Sequence, residues 1–132
     1  MRSWISSFSI FLMGIVISNT LILLVALIHV WIMYLEMVLW TKPKGLKTFR
    51  MTAQKAEDSK VLAFNQGLYN GFLALALIWG VVGAKPDLQL YGLACVFIAG
   101  IVGALTVGKQ IFFVQSVPAL LALIAFWNFH QS

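Results

Sequence analysis

A chain of 132 residues that is 61% apolar and only 10% charged carries too few charges to cover a water-soluble surface, because soluble domains average about 25% charged residues. Its formal net charge of +5 is gathered in one short segment between apolar runs, the mark of a juxtamembrane loop and not of a nucleic-acid-binding face. The length allows one domain, and the single cysteine, Cys95, lies inside an apolar run, which excludes a disulfide framework and a CxxC metal site.

The fold class that follows is all-α, an integral membrane bundle of four transmembrane helices. A spanning helix needs about 20 mostly apolar residues, and the chain offers spans at about 21–40, 62–82, 88–107 and 110–129. Residues 1–20 read as an N-terminal apolar extension, and residues 21–132 as the four-helix transmembrane domain. The stretch from Phe8 to Trp40 is interrupted by charge only at Glu36. As one helix it would run ~50 Å at ~1.5 Å per residue, against an apolar core of ~30 Å. Either it is tilted and projects, or it breaks near Ser18-Asn19-Thr20 and leaves Trp4–Ile17 as a separate interfacial segment. Arg2 before an apolar stretch resembles the start of a secretory signal, but no A-x-A-like cleavage site follows, so the segment is expected to be retained.

The first connection, 41–61, is long and basic, and Ala53–Val61 within it is expected to form a short helix leading into the second span. The second connection, Gly83-Ala84-Lys85-Pro86-Asp87, and the third, Gly108-Lys109, are short enough to force antiparallel neighbours. Lys42, Lys44, Lys47, Arg50, Lys55 and Lys60 lie in the first loop and Lys109 in the third, whereas Arg2 and Lys85 lie on the opposite side. The positive-inside rule makes the seven-cation side cytoplasmic and both termini external, in a multi-pass protein of the cell membrane. Trp40 and Trp127 fall at span ends, where aromatic belts belong.

With that orientation, most intramembrane polar residues fall in the cytoplasmic half of the bundle. His29, Met33, Glu36 and Trp40 lie at steps of 4, 3 and 4 on one stripe of the first span. Asn65, Gln66, Tyr69 and Asn70 open the second span, and Gln115 follows the start of the fourth. Gly67 and Gly71, with Gly100, Ala104 and Gly108 on the third span, provide small-residue spacing that lets helices approach closely, either inside the bundle or between subunits. Pro118 cannot donate to Val114 one turn earlier and frees that carbonyl beside Gln115. Asn and Gln in a bundle often serve only as interhelical glue, at ~0.6 kcal/mol on average. A lone His29 is a weaker candidate for metal or haem ligation than for a hydrogen-bonded core position, and no metal or other cofactor is expected. Glu36 differs from these, since an ionised carboxyl within a span costs roughly 2.5 kcal/mol or more and usually faces the bundle interior.

Leu35-Glu36-Met37-Val38-Leu39-Trp40, Asn65-Gln66-Gly67-Leu68-Tyr69-Asn70-Gly71-Phe72-Leu73-Ala74, Gly100-Ile101-Val102-Gly103-Ala104-Leu105-Thr106 and Gln115-Ser116-Val117-Pro118-Ala119 occur in that order. The pattern resembles the DUF1304 family of small membrane proteins over about residues 21–128. The resemblance implies a four-span, bacterial-type membrane protein and supplies no substrate or reaction.

Three readings of function follow from the residues. The first is a binding or transport bundle, in which Glu36, Asn65, Gln66, Tyr69, Asn70, Gln115 and His29 surround a small amphipathic or lipid-like molecule, with transport requiring a homo-oligomer. The second is a membrane-embedded enzyme with Glu36 as its proton-carrying catalytic residue, although His29 lies two turns away, ~10 Å along the axis. The third is a structural accessory subunit whose polar groups hold helices together. The partners expected are the lipid bilayer, the ligand and a second copy of the chain, and no nucleic acid.

Overall fold

The computed structural model describes residues 2–130. Met1, Gln131 and Ser132, at the outer limits of the two expected segments, lie outside that description. So does the side chain of Arg2, one of the two cations assigned to the external side.

The chain is all helix among the described residues, running α1 (Arg2–Met37), α2 (Pro43–Phe49), α3 (Ala53–Val82), α4 (Pro86–Thr106), a π-helical turn (Phe112–Ser116) and α5 (Val117–His130). Four segments are long and apolar enough to cross a membrane: Ser7–Met37, Ala53–Val82, Pro86–Thr106 and Phe112–Phe129. In a bilayer every backbone N–H and C=O must find a partner within the protein, and continuous helices meet that demand. α1 passes through Ser18-Asn19-Thr20 without a break, and Thr20 there turns its hydroxyl back to donate to the Val16 carbonyl at 2.7 Å.

α1 packs on α3 and α5, and α4 packs on the same two, so the spans close in chain order around a common core. That core joins Ile22, Val25 and Ala26 of α1 to Leu77 of α3, Leu93 and Val96 of α4, and Ala119, Ala122 and Phe126 of α5. Ser18, Ile22, Val25 and His29, at steps of 4, 3 and 4, form the buried stripe of α1, and Met33 and Glu36 continue it toward the end of the helix. Trp40 does not share that stripe as its spacing suggests. α1 ends at Met37, where the Val38 and Leu39 amides both bond to the Tyr34 carbonyl, at 3.0 and 3.2 Å, and Trp40 lies in the turn that follows.

The connections are more ordered than their composition indicates. α2 begins with Pro43 in its first turn, a position where the missing N–H costs nothing. It lies so close to the end of α1 that a Cβ on Gly45 would strike the carbonyl oxygens of Leu39 and Trp40. Thr52 caps α3 by accepting from the Lys55 amide at 3.2 Å, so the expected short helix at Ala53–Val61 is the first two turns of α3. At the other end of α3, the Lys85 amide bonds to Gly80 O and the Ala84 amide to Val81 O. This is a Schellman closure, with Ala84 in the left-handed region at φ 48°.

The small-residue faces turn inward. A Cβ on Gly71 would meet Met33 Sδ at 2.8 Å, and one on Gly103 would meet Ile111 Cγ2 at 2.7 Å. Close approach at these glycines therefore serves helix packing within one chain.

Candidate functional site

Glu36 sits in the last turn of α1, opposite the middle of α3. Gly67 permits the approach: a Cβ there would lie 2.5 Å from Met37 Cγ, 3.1 Å from the Met33 carbonyl oxygen and 3.2 Å from Glu36 Cβ. The contact brings Asn70 Nδ2 within 2.7 Å of Glu36 Oε2, to which it donates. The same amide nitrogen also donates to the Gln66 carbonyl at 3.1 Å, which fixes its direction. This bond joins α1 to α3 in the region where α1 ends.

Beside Glu36 opens a cleft of about 350 Å³, lined by Glu36, Met37, Val38, Trp40 and Thr41 from the end of α1, and by Lys60, Val61, Phe64 and Asn65 from α3. Its wall is mixed, with a carboxyl group at one place, an ammonium at another, and apolar or aromatic surface between. Trp40 is held in position from two sides. Its indole N–H donates to Ser59 Oγ at 3.1 Å, and its ring lies 4.6 Å from that of Phe49 on α2. Lys60 forms an ion pair with Glu57 one turn earlier, with both side chains about half exposed.

Three of the seven residues singled out from sequence meet around this cleft: Glu36 and Asn65 line it, and Asn70 anchors Glu36 from outside the lining. Gln66 contributes its carbonyl, while its side chain is exposed on the bundle surface. Tyr69 is 60% exposed and its ring packs edge-on to Phe72. Gln115 lies on the far side of the bundle, its Cβ 3.0 Å from where a Cβ on Gly100 would stand. His29 is 1% exposed, its Nδ1–H donates to the Val25 carbonyl at 2.9 Å, and its Nε2 is without a hydrogen-bond partner. It does not line the cleft.

Trp40, Thr41, Lys60 and Phe64 are cleft residues that sequence reasoning assigned to an interface belt, a loop and an apolar run. Nothing in their spacing brings them together, because the cleft exists only where α1 stops and the chain turns back. The polar half of the bundle is also less exclusive than depth alone suggests. Ser18 is fully buried, and Gln89, at the start of α4, is 2% exposed and donates to the Gly80 carbonyl at 2.8 Å. No group of three or more His, Cys, Asp and Glu side chains able to hold a metal ion occurs among the described residues.

A family model described as "Protein of unknown function (DUF1304)" matches residues 23–127. The chain belongs to the DUF1304 family. It is also similar to "Uncharacterized protein YpaA" of Lactococcus lactis subsp. lactis (strain IL1403), at 35% identity over 114 residues that cover 83% of this chain and 96% of that protein. No solved structure matches. The stretch shared with the DUF1304 family contains the whole cleft together with Asn70, and it begins just after Ser18 and Ile22, the first two residues of the buried stripe.

Proposed function

We propose that this DUF1304 protein binds a small amphipathic molecule in the cleft beside Glu36, a polar group of the ligand meeting the carboxylate and its apolar body lying against Met37, Val61 and Phe64. The carrying observation is the 2.7 Å bond from Asn70 to Glu36, which holds a carboxylate near the end of a span beside an open cleft. A carboxyl in a span is costly and commonly functional, and binding sites join a mostly apolar wall to a few fixed polar groups. The concentration of cations around the 41–61 loop supports an orientation with this end cytoplasmic and both termini outside the cell.

The accessory reading has one specific observation in its favour, because the same bond and the Gly67 contact clamp α1 to α3. The enzyme reading loses the two partners it named for Glu36, since His29 is buried away from the cleft and Tyr69 faces outward. Extraction in mild detergent, followed by mass spectrometry of what co-purifies, separates the readings. Wild type is expected to retain a stoichiometric small molecule, and Glu36→Gln to fold normally and lose it. If both proteins carry only bulk lipid, the binding proposal fails and the accessory reading stands.

A further inference from the structure

The basic collar around α2 has no counterpart at the opposite end of the bundle among the described residues, and it is packed against the end of α1. Lys42, Lys44, Lys47, Arg50 and Lys55 are all exposed. The one ion pair among the described residues joins Lys60 to Glu57, and Asp58 is engaged by Gln54 at 2.8 Å. Five cations within fourteen residues are thus left without a carboxylate partner.

Their depth follows from packing. α2 presses Gly45 against the carbonyls of Leu39 and Trp40, two to three residues past the end of α1, and the Phe49 ring packs at a tilt against Trp40. At about 100° per residue, Leu46 and Phe49 share the inward side of α2, while Lys44 and Lys47 lie on the outward side. Just above this level begins the exposed apolar band: Val38 on α1, and Val61 and Leu62 on α3, are 51%, 67% and 69% exposed. Cations fixed where a lipid-facing band ends stand at headgroup depth, where anionic lipid attracts each Lys or Arg by about fivefold in binding constant.

We infer that the α2 collar is a binding surface for anionic phospholipid headgroups, with Lys44, Lys47 and Arg50 as its principal contacts and the acyl chains running along the exposed apolar band. A floppy polybasic loop would attract any polyanion. A short helix pinned to the end of a span presents its charges in the plane of the headgroups and favours a phosphate that is attached to an acyl chain. The inference is independent of what occupies the cleft beside Glu36.

The test uses the full chain in nanodiscs made from phosphatidylglycerol and phosphatidylcholine, with the lipids retained on the protein counted by native mass spectrometry. Wild type is expected to favour phosphatidylglycerol by up to about a hundredfold in relative binding constant at low salt, about fivefold for each of the three principal contacts. The preference should shrink as the Debye length falls from ~10 Å at 0.1 M salt to ~3 Å at 1 M. The triple variant Lys44→Gln/Lys47→Gln/Arg50→Gln should bring the ratio close to one, while Lys85→Gln at the far end leaves it unchanged. Equal retention of the two lipids by wild type overturns the inference, and so does a preference that survives the triple variant. Displacement of the lipid by millimolar inorganic phosphate would also overturn it, because the site would then read the phosphate alone.

Discussion

The bond between Asn70 and Glu36 carries the proposed site, and a double-mutant cycle measures it. Interhelical hydrogen bonds in membranes average ~0.6 kcal/mol and reach ~1.7 kcal/mol. The geometry lies at the favourable end, with a 2.7 Å separation and an amide already oriented by its second bond to the Gln66 carbonyl. The carboxylate also lines an open cleft, and water there weakens the pair. These effects together predict a coupling of about 1 kcal/mol, which is roughly a fivefold change in equilibrium constant. Glu36→Ala, Asn70→Ala and the double variant would be unfolded reversibly in mixed micelles of dodecyl maltoside and sodium dodecyl sulfate, with the fluorescence of the 5 tryptophans as signal. Each single variant should lose about 1–2 kcal/mol, and the double should lose about 1 kcal/mol less than their sum. A coupling below ~0.3 kcal/mol, the range in which independent sites add, would mean that Asn70 does not hold Glu36, and the clamp at the foot of the site would be refuted.

Gly100→Ala should destabilise the bundle by about 1–3 kcal/mol in the same assay, the usual range for overpacking, because the new Cβ meets the backbone nitrogen of Ser116 at 2.7 Å. Adding Ser116→Ala should not rescue it, since the obstructing nitrogen is main chain. Ala84→Gly should stabilise the protein by up to ~1 kcal/mol, because Ala84 holds φ 48° in the Schellman closure between α3 and α4 and a left-handed conformation costs an L-residue roughly 1–2 kcal/mol. A destabilised Ala84→Gly would show that the turn does not hold this conformation. Single cysteines at Lys47 and Asp87 in a Cys95-free background should label from opposite sides of the membrane, the first from the cytoplasm; labelling of the Asp87 position from the cytoplasm alone would invert the orientation.

The four spans were legible because length and apolarity are properties of the sequence itself, and a bilayer core of fixed thickness selects for both. The face each span turns inward was less so. In a soluble helix apolar residues mark the buried side, but in a membrane the lipid-facing side is apolar too, and the periodicity that separates them fades. α3 shows what remains as a signal. Gly67 marks the side against α1, and Asn70 lies about 60° from it, close enough to reach Glu36. Gln66 and Tyr69 lie about 100° and 160° away, on exposed surface. Polarity alone put all four in one site, whereas rotation relative to the glycine separates them. Asn65 is equally far from Gly67 and still reaches the cleft, because the cleft opens on the flank that also carries Val61 and Phe64.

The end of α1 was hidden for a related reason. Met37-Val38-Leu39-Trp40 is apolar throughout, so hydropathy extends the span through Trp40, whereas the backbone closes at Tyr34 and the chain turns into Pro43. That turn sends the Trp40 indole back onto Ser59, and it also seats α2 against the end of α1. The early stop of a single helix thus creates both features that distinguish this end of the bundle, the cleft beside Glu36 and the packed collar of cations. A chain whose first helix ran on through Trp40 would carry the same polar residues and the same charge, but would have neither feature.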